Sequence, residues 1–170
     1  MSKAHYITPL VPQEPARTVR LGTNAGQFIT DDVGKLVKLA AESQYNLCVA
    51  GDPIEGVIAA IDTAKSGGHS IGSIYERGAI WAIADGLQAT PGTGTLAVGD
   101  YVVAGSITAL GTKLTSFPKV CKATQQPGIT EAGAVGDVND QLKVALFAWR
   151  VESLGTGAGA VGTQVVIKRL

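Results

Sequence analysis

From Gln27 onward the chain is a succession of short apolar runs divided by glycine. QFIT is followed by Asp31-Asp32 and then by VGKLVKLA, where Lys35 and Lys38 interrupt the aliphatic residues. YNLCVAG, GVIAAID, SIGSIYERG and GAIWAIADG come next, with Asp85-Gly86 as a turn signal. LAVGDYVVAGSITALG, PKVCKATQ, KVALFAWRVES and TQVVIKRL complete the series. Runs this short between glycine turns predict many strands and an all-β fold, a β-sandwich or a β-barrel. The 22 glycines point the same way, because glycine weakens helix interiors but serves turns and bulges. At most one or two short helices are expected.

One run carries a mixed signal. Asp52-Pro53-Ile54-Glu55 supplies a cap, a proline at the first helical position and a glutamate at the third. Ile54, Val57, Ile58 and Ile61 then recur at helical spacing. Gly56 in the first turn and the dominance of Val and Ile oppose a helix, and the residues favour a strand. Leu142 to Trp149 is apolar on both alternating faces, which suits a strand in mid-structure or against a partner.

The first 22 residues differ from this body. Pro9, Pro12 and Pro15 remove backbone donors and fix φ, so an extended N-terminal arm is expected over residues 1–22, ahead of a β domain over 23–170. The arm is slightly basic, with Arg17 and Arg20 against Glu14. Tyr6, Ile7, Leu10, Val11 and Val19 are apolar residues that a purely solvated tail does not need. An arm that orders on a neighbouring surface accounts for both features, and plain disorder is the alternative.

Lysine plus arginine number 14, aspartate plus glutamate 14, and only 16% of residues are charged. A net charge of zero argues against nucleic-acid binding, which depends on neutralising many phosphates. Few charges leave neutral surface that can meet protein at low desolvation cost, as in a subunit of an assembly. No apolar run reaches the roughly 18 residues of a membrane span, and the N-terminus lacks the apolar core of a signal peptide. Cytoplasmic synthesis is therefore expected. Cys48 and Cys121 are too few and too far apart for a disulfide framework or a zinc site, and buried free thiols are expected.

Candidate chemistry is sparse. His5 lies in the arm, and His69 sits in Ser66-Gly67-Gly68-His69-Ser70, read as a hairpin turn. Neither has a metal-ligand partner at suitable spacing. Asp137-Val138-Asn139-Asp140 lacks the ligand series of a calcium loop and reads as a polar turn. Trp81 and Trp149 lie within apolar strands and are expected in the core. No catalytic residues, metal or cofactor are predicted, and the chain reads as a non-enzyme. LAVGDYVVAGS resembles the V-G-D-x-V-x-x-G turn of biotinyl and lipoyl carrier domains. Lys113 and Lys119, however, lack the flanks of an acceptor lysine, so the likeness speaks for a β-turn alone. Gly-Asp recurs at 51–52, 99–100 and 136–137, either as reused turn chemistry or as a faint internal duplication.

The order of motifs between Asp31 and Gly105 adds a family resemblance. TDDVGKLVKLA, CVAGDPIEGVIAAIDTA, GGHSIGSIYERG, GAIWAIADG and LAVGDYVVAG follow one another. This order resembles small head-decoration (cement) proteins of tailed bacteriophages, with their GK-x-V opening, GD-x-I-E-G-x-I strand, G-x-S-x-G-S-I hairpin and late V-G-D-x-V turn. The resemblance implies a β-sandwich or β-barrel on the outside of an icosahedral shell, stabilising contacts between capsomers. Implied partners are the major capsid protein and other copies of the chain, as a homo-oligomeric dimer or trimer, with no nucleic acid and no membrane. The implied location is the virion surface. On this reading Tyr6, Ile7, Leu10 and Val11 anchor the arm, while Arg17 and Arg20 meet acidic capsid residues. The alternative is another virion or surface structural module, such as a head-fibre or tail base or a carbohydrate-binding β domain.

Overall fold

The computed structural model describes residues 16–22, 28–41, 44–66, 69–86, 94–123 and 149–169. All its regular structure is β apart from a single 3-10 turn at Thr30–Asp32, the one helical element among the described residues. The strands are β1 (Arg17–Leu21), β2 (Leu36–Ala41), β3 (Gln44–Leu47), β4 (Gly56–Ser66) and β5 (His69–Tyr75). They continue with β6 (Gly78–Ala84), β7 (Tyr101–Ala104), β8 (Lys119–Lys122), β9 (Trp149–Leu154) and β10 (Gln164–Arg169). These strands close into two five-stranded barrels, β1-β3-β2-β4-β5 and β10-β6-β8-β7-β9.

The second barrel repeats the topology of the first. In each, the first strand runs parallel to the third and antiparallel to the fifth. In each, the second strand is antiparallel to the third and fourth, and the fourth is antiparallel to the fifth. The two described Gly-Asp turns do not follow this repeat, since Gly51-Asp52 precedes the fourth strand of its barrel and Gly99-Asp100 the second strand of its own. Closure leaves neither barrel with a free sheet edge.

Alternation along the strands divides the apolar residues between two cores. Val19, Leu21, Phe28, Val37, Tyr45, Ile58, Ile61 and Ile74 fill the first barrel. The second cluster contains Ile80, Ala82, Ala84, Val102, Val120, Trp149, Val151, Val165 and Ile167 of the second barrel. It also takes in Leu36, Cys48, Ile54 and Val57 from the first. Leu36 and Val37 are adjacent on β2, so one faces the neighbouring barrel and the other its own core. The outer face of β2 and β4 is therefore the seam, and the two barrels share one continuous apolar cluster.

Three expectations change here. The arm ends earlier than residue 22: Arg17–Leu21 is a barrel strand, with Val19 and Leu21 buried. The reason is local, since no proline follows Pro15 in this stretch and its N–H groups can join the ladder. QFIT supplies no strand among its described residues, because Asp32 closes Ile29–Asp32 into a 3-10 turn. Cys48 lies just beyond β3 rather than within a strand. Gly56–Ser66 is a strand despite its helix-like start, and Ser66 pairs with His69 to close the β4–β5 hairpin.

Candidate interaction surface

Of the six expected contact residues, Tyr6, Ile7, Leu10 and Val11 lie outside the described residues. Arg17 and Arg20 both project from β1, two of its exposed positions. Arg17 is held by Glu76, with Nη1 3.0 Å from Oε1. The Tyr45 hydroxyl donates to the same oxygen at 2.8 Å. Burial and then the Glu76 carboxylate push the Tyr45 phenol up to about 12. Arg20 stands opposite Ile71 of β5 and Gln44 of β3, and no carboxylate among the described residues pairs with it. The structure thus separates the two arginines. Arg17 belongs to a local network, whereas Arg20 presents its charge outward.

Glu76 begins the short link between β5 and β6, so this network sits at the covalent junction of the barrels. Nearby, Arg169 at the end of β10 donates through Nη1 to the Glu55 carbonyl at 3.1 Å. Burial lowers the Arg169 pKa, which Glu55 and Glu76 partly offset. A second seam contact was not singled out by the sequence reading. Asp32 and Lys35 are 0% and 2% exposed, with Lys35 Nζ 2.5 Å from Asp32 Oδ1. Its available signal was a lysine inside the apolar VGKLV run, three residues after an aspartate.

The Gly-Asp turns have a common construction. Val49 and Ala97 each donate their N–H to the carboxylate three residues ahead, Asp52 at 2.6 Å and Asp100 at 2.9 Å. The aspartate N–H groups return the bond to the Val49 and Ala97 carbonyls at 3.0 Å in both cases. Gly51 and Gly99, both at φ 92°, occupy the third position, where a left-handed backbone closes the turn. Lys38 and Lys122 pair with Asp52 and Asp100 respectively. The V-G-D sequence is thereby accounted for by turn geometry. These turns also expose aliphatic side chains, Val49 at 60% and Val98 at 63%. Leu39, Ile29, Leu110 and Val161 are exposed elsewhere.

Among the described residues no three His, Cys, Asp or Glu side chains converge into a possible metal site. A small cavity at the seam, of about 20 Å³, has room for one water molecule and is bounded by Lys35, Leu36, Ser106, Ile107 and Leu114. Cys48 and Cys121 are buried, free thiols. Burial pushes both thiol pKa values up, that of Cys121 to about 12. Trp149 is fully buried, whereas Trp81 is half-buried beside Phe117, with ring centroids 6.2 Å apart and planes tilted by 31°. No helix among the described residues is long and apolar enough to cross a membrane. No protein family matches the chain, and no curated protein or solved structure matches it either.

Proposed function

We propose that the chain is a structural decoration subunit that binds the outside of an assembled phage head and stabilises contacts between capsomers. The observation that carries this reading is the motif order from Asp31 to Gly105, which resembles that of cement proteins. Two features of the molecule support it. Buried apolar side chains occupy the interiors of both barrels, which leaves the outer surface as the place of contact. Exposed valines on tight turns and the outward charge of Arg20 provide contact points of the kind protein interfaces use. The proline-rich segment before β1 adds Tyr6, Ile7, Leu10 and Val11 as anchors on the capsid protein or on further copies of the chain. A ligand that binds only the assembled shell stabilises that state by mass action, and a lattice of sites makes modest affinity effective.

Co-sedimentation with purified phage shells, followed by electron microscopy, tests this reading. Regular density on the shell and a higher temperature of genome release are expected. Failure to bind shells, in the presence of intact protein, would remove the proposal.

A second reading rests on Trp81 and Phe117, whose half-exposed rings could stack against a sugar face. It makes the chain a carbohydrate-binding surface module. Quenching of Trp81 fluorescence by glycans, abolished in Trp81→Ala, is the outcome that separates it from the first.

A further inference from the structure

We propose that residues 105–118, the connection between β7 and β8, form a latch that fixes the placement of one barrel on the other through the buried Asp32–Lys35 pair. Asp32 Oδ1 accepts from Lys35 Nζ at 2.5 Å and from the Gly111 N–H at 2.7 Å. Asp32 Oδ2 accepts from the Ile29 N–H at 2.8 Å. Lys35 Nζ also donates to the Ala109 carbonyl at 2.5 Å. An ion pair belonging wholly to the first barrel therefore holds the connection of the second by one donor and one acceptor. The corresponding connection in the first barrel is only two residues long, 42–43, against fourteen here.

The chemistry of the contact explains what it adds. Leu36, Ile54, Val57 and Ile107 supply apolar seam contacts, which favour burial without selecting a direction. Charges at 0% and 2% exposure behave differently. Any slippage of residues 109–111 removes a partner from a buried ion, whereas the correct placement satisfies both. A well-packed apolar pair would be about as stable, so the benefit of the charged pair is selection of a single arrangement. The outcome is a rigid two-barrel body with fixed spacing between its turns.

The test uses the full chain with spin labels at Thr18→Cys on β1 and Ser153→Cys on β9, both exposed positions, while Cys48 and Cys121 are buried. Double electron–electron resonance should give one narrow distance. Replacing both charges, Asp32→Leu with Lys35→Met, should leave the denaturation midpoint within about 5 °C of the parent. The same replacement should broaden or split the distance distribution. An unchanged narrow distance in the double variant overturns the latch. If that variant does not fold, hydrogen exchange in the unaltered chain decides. The Gly111 amide should be protected like those of β7 and β8, and exchange at the rate of an exposed loop overturns the proposal.

Discussion

The two barrels carry one topology on two different interiors. The first is filled by aliphatic side chains of similar size together with Phe28 and Tyr45. The second holds Trp149 as its largest buried side chain, in a cluster that also contains the small residues Ala82, Ala84 and Ala104. Small residues opposite a large one preserve packing density in a barrel of fixed strand number. The connections diverge as well, with residues 42–43 in one barrel matched by 105–118 in the other. A strand order can thus be kept while core composition and loop length change, and the 105–118 connection uses its length to reach Asp32 and Lys35 of the other barrel.

The largest expected effect comes from the side chain that distinguishes the interiors. Trp149→Ala should cost about 3–5 kcal/mol by urea denaturation, because no small neighbour can fill the space. Since the cluster around Trp149 includes Leu36 and Val57 of the other barrel, loss should appear as one transition for the whole chain. Two separate transitions would show that the barrels fold independently. Trp149→Phe should cost much less, as it keeps a ring and removes an indole N–H that has no hydrogen-bond partner among the described residues.

The first barrel has its own tight point at Gly72. A Cβ there would lie 2.5 Å from Leu21 Cδ1 and 2.6 Å from the Ala60 carbonyl oxygen. Gly72→Ala should therefore cost about 1–3 kcal/mol, read from the denaturation midpoint, and a neutral result would mean the sheet yields at this place. Tyr45 sharpens the comparison through pH. Its folded value of about 12 lies above the ordinary 10.0, so the folded barrel holds the phenolic proton more tightly. That stabilisation is complete below pH 10 and is lost as pH rises through 12. Stability of the parent should fall across this window relative to Tyr45→Phe, with a constant difference between them below it. The smallest effects belong to the turns. Asp52→Ala and Asp100→Ala should each cost about 1 kcal/mol, comparable to loss of a helix cap. A much larger loss for Asp52 would assign it a role in the seam, where Gly51 N–H and Asp52 carbonyl bond to Ala104.

Much of the fold was legible in the residues. Alternating apolar runs gave β6, β8 and β10 close to their observed positions, because side-chain period follows directly from backbone geometry. Gly-Asp marked two turns, since a left-handed third position and a short acceptor are local requirements. The contact residues were legible only in part. Arg17 and Arg20 looked alike along the chain, yet Glu76, 59 residues away from Arg17, engages one of them.

What the sequence determined alone was the class of structure, the turns and the all-β alternation, each fixed by interactions between near neighbours. Only the tertiary structure decided that the strands divide into two barrels, that Leu36 faces across the seam while Val37 faces inward, and that Asp32 and Lys35 are buried together under residues 109–111. Those outcomes depend on which distant segments meet, and an ionic pair can enter an interior only when such a meeting satisfies its hydrogen bonds.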